Sequence, residues 1–494
     1  MPPAATEPHG SSSLRPFKSR AALAALTVLA LGGVAEHVRA LEWLRIFHPL
    51  IANDAGKTAR IEPSATVGES TITSETRTRS ELAQPDSASL KAAAAELLRP
   101  TEAGEVALPK IDAAEPPLPF ADPSGTALNA FYRALGHTAR KEPHAVTRVA
   151  HFGDSIVVSD LVSGTLRRKL QTEFGDAGHG FMLIANAWPA YFHNDVTRYA
   201  TAGWNVSRIV GPYAADGYYG LGGVSFKAEK NTLARFGTAK SGDFGRNVSR
   251  FTLDYLEDPS GGTLQVSIDG AVNATVDTRG TNKKAAYFTV DVPDGPHEFE
   301  LFTKSGVSRA FGVVLERDVP GVVLDALGVQ GARIRFLDKQ DDAHWAEQLA
   351  WRKPDLLIYE FGANESADGL LYPMVDYHRT MKDVLEQGKR ALPGSSCLVI
   401  GAMDRATKQG DEVVSVSVIP TLVEEQRKTA AEVGCAFFDT YRAMGGARSM
   451  PTWVRRGLGQ ADLTHPTAIG SEVIGNWIFR ALMQGYNASL TRPR

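Results

Sequence analysis

The chain has 494 residues, 43% of them hydrophobic and 22% charged, with a formal net charge of −3. That length and composition accommodate a substantial core and more than one domain, while the near-balanced charge gives no electrostatic footing for nucleic-acid binding. Two cysteines are too few for a disulfide framework, and no Cys/His cluster has metal-ligand spacing, so neither metal nor cofactor is expected.

In chain order, Arg15, Lys18 and Arg20 precede an apolar or small run from Ala21 to Ala35, closed by Glu36. A basic flank before about 15 apolar residues fits a signal peptide or a signal anchor within residues 1–51, and the pattern leaves open whether it is cleaved. Either way the bulk of the chain is expected to be exported, periplasmic or extracytoplasmic, with residues 21–35 as its inner-membrane anchor if uncleaved. Residues 52–120 are rich in Ala, Glu, Ser, Thr and Pro and poor in large apolar side chains, the composition of a disordered linker. Ala88 to Leu98 reads as a short helix within it, and Leu128 to Leu135 as a helix packed on the adjoining domain.

Val146 to Phe152 is a β-branched, apolar run that ends in Gly153-Asp154-Ser155, and Val157, Val158, Leu161, Val162, Leu166 and Leu170 then recur at helical spacing. The pattern predicts a strand, a tight turn and one helix running from near Ser155 to Phe174. A serine there has its hydroxyl at the carboxyl edge of a sheet and its N–H at a helix N-terminus, where a developing oxyanion is favoured. Asp and Ser are also ordinary helix caps, so these ten residues alone leave the two readings even. Phe174 to Gly180 is a glycine-rich loop carrying His179, which fits either a substrate contact or a structural role. Trp188, Tyr191, Phe192, His193, Tyr218 and Tyr219 read as domain-junction core rather than as a sugar-stacking surface.

From about residue 197 to 318 the pattern changes. Val248 to Leu256, Thr263 to Ile268, Ala271 to Val276, Ala286 to Val292, His297 to Phe302 and Ser308 to Leu315 are short alternating segments divided by Gly- and Pro-rich turns. They predict an all-β sandwich of carbohydrate-binding-module size, inserted between two parts of an α/β domain at 121–196 and 319–494.

After residue 318 strand–helix alternation resumes, which predicts a parallel sheet covered on both faces. Val322 to Gly331 ends in a glycine turn. Asp355 to Glu360 leads into Gly362-Ala363-Asn364, which brings an amide to the same sheet edge. Helices are predicted at Asp341 to Trp351, Val375 to Leu392 and Ile419 to Val433. Cys397 and Cys435 sit in apolar strands and read as buried free thiols. Asp404 and Arg405 come directly after a strand, where a substrate contact and a structural ion pair fit equally. Asp462-Leu463-Thr464-His465 then stands before a helix. A carboxylate three residues from an imidazole fixes its tautomer and leaves the other ring nitrogen to take a proton from a serine.

Gly-Asp-Ser, Gly328-Val329-Gln330-Gly331, Gly-Ala-Asn and Asp-x-x-His, in that order, resemble the SGNH (GDSL-type) hydrolase family over roughly residues 145–190 and 320–490. The resemblance implies a three-layer α/β/α, flavodoxin-like sheet, and Ser155 as nucleophile. It makes His465 the general base and Asp462 its partner, with an oxyanion hole from the Ser155 and Gly331 N–H groups and the Asn364 side chain. His179, Asp404 and Arg405 remain as substrate-contact candidates. His151-Phe152-Gly153-Asp154-Ser155 with Phe174 to Phe181, and Gly217 to Gly223, are similar to bacterial envelope esterases of the peptidoglycan O-acetylesterase type. Ile156 departs from that branch, which often carries a polar residue after the nucleophile. The implied activity is removal of O-acetyl groups from an envelope polysaccharide, peptidoglycan first. The alternatives are O-acyl transfer, an esterase acting on another glycan, and an inactive glycan-binding protein.

Overall fold

The computed structural model describes residues 118–491 apart from Tyr372 and Asp411. The expected signal or anchor segment and the linker up to residue 117 lie outside the described residues, and among those described no helix is long and apolar enough to cross a membrane. Helix α1 (Asn129–Ala139) precedes β1 (Val146–Gly153), and the Gly-Asp-Ser turn leads into α2 (Ser155–Val158) and α3 (Val162–Phe174). One helix was expected here, yet the chain breaks at Asp160, whose φ of +50° cannot continue a right-handed helix. The Asp160 carboxylate accepts hydrogen bonds from Ser163 Oγ, both Arg167 Nη atoms and the Asn194 N–H, which hold the break in place. The apolar spacing runs through the break undisturbed, so periodicity does not register it.

Then come β2 (Gly180–Leu183), β3 (Val196–Ala200), β4 (Asn205–Arg208), β5 (Val224–Ala228), β6 (Leu233–Thr238) and β7 (Val248–Glu257). β8 (Thr263–Ile268), β9 (Ala271–Asp277), β10 (Lys284–Gly295), β11 (Glu298–Ser305) and β12 (Ser308–Glu316) complete this part. One antiparallel sheet has the order β10-β7-β12-β5-β4, with β2 paired to β12, and the other β3-β6-β11-β8-β9. Their facing sides share a core that includes Phe226, Phe251 and Leu253 from one and Phe236, Phe299 and Leu301 from the other. The six segments expected after residue 248 are all strands. β3 to β6 were not individually expected; each is only four to six residues long, although Val224, Phe226 and Ala228 of β5 do alternate with polar residues. β2, expected in the α/β part, joins the antiparallel layer through Leu183 opposite Gly312.

The chain returns through β13 (Gly321–Gly328), α4 (Asp342–Arg352), β14 (Leu356–Glu360), α5 (Ala363–Asp368), α6 (Met374–Ala391) and β15 (Ser396–Ile400). The β16 (Ala406–Gln409) and β17 (Glu412–Ser415) hairpin is followed by α7 (Ile419–Val433), β18 (Ala436–Phe438), α8 (Thr440–Met444), α9 (Ser449–Arg455) and α10 (Ala468–Leu490). The sheet order is β13-β1-β14-β15-β18, every neighbour parallel. Side chains alternate between its faces. Val149, Ile358 and Leu398 pack with Leu135, Leu166 and Ile478 of α1, α3 and α10. Phe152, Tyr359 and Val399 pack with Trp345, Met381 and Leu422 of α4, α6 and α7. With both faces covered, the strands read as continuous apolar runs.

At the junction with the antiparallel sheets, the buried Arg352 guanidinium donates to both Asp325 oxygens, at 2.6 and 2.9 Å, and to Glu316 at 2.7 Å. Asp325 Oδ1 also accepts the Phe181 N–H. A buried charge needs such pairing, and removing one partner would strand the other. Cys397 and Cys435 form a disulfide, not the free thiols expected. Leu398 is opposite Ala436, so the residues just before them face each other, 4.6 Å apart at Cα. That register is invisible in a count of two cysteines.

Candidate functional site

The site lies at the carboxyl ends of β1, β13 and β14. At Gly153 a Cβ would stand 2.3 Å from the Val157 side chain and 2.9 Å from the Glu360 carbonyl, so only glycine allows the strand to turn this sharply into α2. Asp154 caps α2 by accepting the Ile156 N–H at 3.1 Å. Capping therefore falls to Asp154, and the Ser155 hydroxyl is directed elsewhere: its Oγ is 2.8 Å from His465 Nε2.

His465 Nδ1 is 2.6 Å from Asp462 Oδ2, while Asp462 Oδ1 accepts the backbone N–H groups of Thr464 and His465, each at 3.0 Å. The aspartate thus orients the ring and also closes the loop that carries it. Burial works to raise the Asp462 carboxyl, but the hydrogen bonds from His465 and Thr464 outweigh it and hold the group below its ordinary range. The loop is closed further by the Gln460 N–H on the His465 carbonyl, and Leu463 at its centre has φ +59°, a strained value for a bulky residue.

Gly331 occupies a turn closed by the Ala332 N–H on the Val329 carbonyl at 3.0 Å. Its φ is +79° and nothing lies within 4 Å of where a Cβ would be. Neither the Ser155 nor the Gly331 N–H donates to a partner among the described residues. The Asn364 amide reaches the Ala332 carbonyl at 2.9 Å and Asp154 Oδ2 at 3.2 Å, tying α5 to both the glycine turn and the serine turn. The adjacent Glu365 accepts the Ile334 N–H, and Arg333 pairs with Asp368, so α5 and the Gly331 turn are held as a unit. Burial pushes Asp154 well above the ordinary carboxylate range against its Ile156 hydrogen bond, with Glu365 and Glu360 adding to the rise. Burial likewise pushes Glu365 up to about 7.

The three residues left between a substrate contact and a structural role are each tied to protein partners. His179 is buried, its Nε2 2.7 Å from His193 Nδ1, so solvent and substrate do not reach it. Asp404 is also buried and accepts the Met450 N–H at the start of α9, at 2.8 Å. Arg405 does not pair with Asp404. It donates to Thr464 Oγ1 at 2.9 Å and approaches Ser366 Oγ and the Ala363 carbonyl at 3.4 and 3.5 Å, linking the His465 loop to α5. These roles depend on partners tens of residues away, which local pattern does not reveal.

Asp160, His179 and His193 bring three possible metal-ligand atoms within 4.8 Å of one another, a group that sequence spacing did not disclose. Both Asp160 oxygens are already bonded to Arg167, at 2.9 and 2.8 Å, and that guanidinium would oppose a cation. Burial pushes the His193 imidazole down to about 3, so the two histidines are a neutral, hydrogen-bonded pair. The donor set is better matched to this network than to an ion.

Residues 294–473 match the GDSL-like Lipase/Acylhydrolase family, a span that holds Gly331, Asn364, Asp462 and His465, with Ser155 brought to them by the pairing of β1. No curated protein matches the sequence. Among solved structures, the chain is similar to a peptidoglycan O-acetylesterase at 20% identity, over 75% of this chain and 99% of that one, with a TM-score of 0.64. A likeness of that degree establishes the shared α/β fold with its parallel sheet and additional antiparallel sheets. A lipase/acylhydrolase from Enterococcus faecalis (18% identity, 33% of this chain and 77% of that one, TM-score 0.26) also matches. So does a family two carbohydrate esterase from Cellvibrio japonicus (12%, 59% and 98%, TM-score 0.24). Residues 294–473 thus carry a GDSL-like lipase/acylhydrolase domain, and the chain is a carboxylic ester hydrolase.

Proposed function

We propose that the protein is a serine esterase that removes O-acetyl groups from a cell-envelope polysaccharide, peptidoglycan first, through an acyl-serine intermediate. The observation that carries this reading is the continuous relay from Ser155 Oγ through His465 to Asp462, beside two N–H groups with no partner among the described residues. His465 Nε2 takes the Ser155 proton as Oγ attacks the ester carbonyl. The oxyanion is received by the Ser155 and Gly331 N–H groups and by Asn364, which gives up its longer bond to Asp154 to do so. The sugar alcohol leaves with the proton from His465. Water, deprotonated by the same nitrogen, then releases acetate and restores Ser155.

The glycan assignment is supported by the resemblance of the first motif and by the two antiparallel sheets, read as an inserted sandwich of carbohydrate-binding-module size. The basic flank and apolar run at 15–35 support export, with an anchor if uncleaved. The Cys397–Cys435 disulfide suits an oxidising compartment. The test is acetate release by the full chain from O-acetylated peptidoglycan, from a second O-acetylated polysaccharide and from p-nitrophenyl acetate. Release from peptidoglycan by wild type, and none by Ser155→Ala, is expected. Release from the second polysaccharide alone would move the substrate elsewhere, and failure on all three would refute the esterase.

A further inference from the structure

Trp188, Tyr191 and His193 are buried as expected of a domain junction, but Phe192 between them is 55% exposed. Its segment is not loose. Tyr191 Oη accepts the Leu183 N–H at 2.8 Å, and Asn194 donates its amide to the Asp160 carbonyl at 2.6 Å and its N–H to the Asp160 carboxylate at 3.0 Å. The Phe192 N–H itself donates at 3.2 Å to the carbonyl of Val158, the last residue of the four-residue helix that begins with Ser155. A rigid backbone therefore displays a phenyl ring to solvent one helical turn from the serine.

A second exposed ring stands on the neighbouring loop. Arg208 donates to the Ala187 carbonyl at 2.8 Å and lies over the Trp188 ring, and its own N–H bonds the Pro212 carbonyl. Tyr213, the next residue after Pro212, is 60% exposed. The same loop returns by the Ile209 N–H on the Gly223 carbonyl, and Gly223 packs against Val329, two residues before Gly331. The two rings are thus carried on anchored loops that abut the serine helix on one side and the glycine turn on the other. Single exposed apolar side chains are ordinary on a protein surface. Two exposed rings whose loops are tied by backbone to the serine helix and to the strand end before the glycine turn call for a ligand with apolar faces.

We propose that Phe192 and Tyr213 form an aromatic rim that receives pyranose rings of the acylated glycan, stacking on their C–H faces and setting the acetyl group over Ser155. This rests on the glycan-esterase reading above and names residues that would confer it. The test compares Phe192→Ala, Tyr213→Ala, the double variant and Phe192→Trp with wild type, using the full chain on O-acetylated peptidoglycan fragments and on p-nitrophenyl acetate. For the double variant the ratio of glycan to small-ester kcat/KM is expected to fall about tenfold or more, mainly through the glycan KM, the usual scale for losing aromatic anchors. Phe192→Trp should retain the ratio. Wild-type turnover of the glycan with an unchanged ratio in the double variant would overturn the rim alone. Wild-type turnover of the small ester without the glycan would overturn the substrate reading and the rim together.

Discussion

The most informative single substitution is Asp462→Asn, because the structure separates what this carboxylate does for the loop from what it does for the ring. Asparagine keeps Oδ1 to accept the Thr464 and His465 N–H groups, so the loop should survive. In place of Oδ2 it offers an NH₂ donor to His465 Nδ1, across a 2.6 Å contact that now needs the ring nitrogen as acceptor. The proton then resides on Nε2, and no lone pair faces Ser155. In a fully buried triad this exchange removes about 10⁴ in kcat. Asp462 is 46% exposed, and solvent carries part of the imidazolium stabilisation that the carboxylate would otherwise supply. The expected loss is therefore about 10²–10³ in kcat, or roughly 3–4 kcal/mol, with KM little changed. Steady-state kinetics on p-nitrophenyl acetate with a thermal melt provide the assay. A folded variant within about tenfold of wild type, or one impaired only in KM, would refute the tautomer argument.

Asn364→Ala should lower kcat by about 10²–10³ through the missing oxyanion donor. A melt should also register about 1–3 kcal/mol of lost stability, since the Ala332 carbonyl and Asp154 lose their amide partner. Replacing Cys397 and Cys435 by alanine together opens a loop with a sequence separation of 38. Loop entropy puts the loss near about 4 kcal/mol, to be read from urea unfolding midpoints. The His193 imidazole, held at about 3 by burial, lies below its ordinary value near 6.5 in the unfolded chain. The unfolded state therefore takes up the proton first, and stability falls as pH drops from about 6.5 toward 3, by at most about 5 kcal/mol from this group. Urea titrations at pH 7, 5.5 and 4.5 should show that slope, to which buried His179 and His344 add with the same sign, and His193→Asn should reduce it.

What was legible in the chain was what is local. Gly-Asp-Ser, Gly-Ala-Asn and Asp-x-x-His each sit in a turn directly after a strand or before a helix, so contiguous residues both build the turn and furnish the side chain. Ile419–Val433 and Thr263–Ile268 were bounded correctly because cap, period and turn residues agree there. What was not legible depends on distant partners. The break at Asp160 is held by nearby Arg167 but also by Asn194, 34 residues on, and the disulfide stems from the register of β15 and β18. His179 is bonded to His193, Asp404 to the N–H of Met450, and Arg405 to Thr464. The exposure of Phe192 was masked for the same reason. Its neighbours are core, and alternation in an irregular segment has no period to read.

The central claim is that Ser155 is a nucleophile activated by His465, and the most direct measurement is covalent capture. The full chain is treated with a serine-reactive fluorophosphonate, and the adduct is located by intact mass and peptide mapping. A single adduct on the Ser155 peptide, greatly slowed in a folded His465→Ala variant, is the predicted result. A folded wild-type protein that forms no adduct, or forms it on another residue at a rate indifferent to His465, would contradict the account.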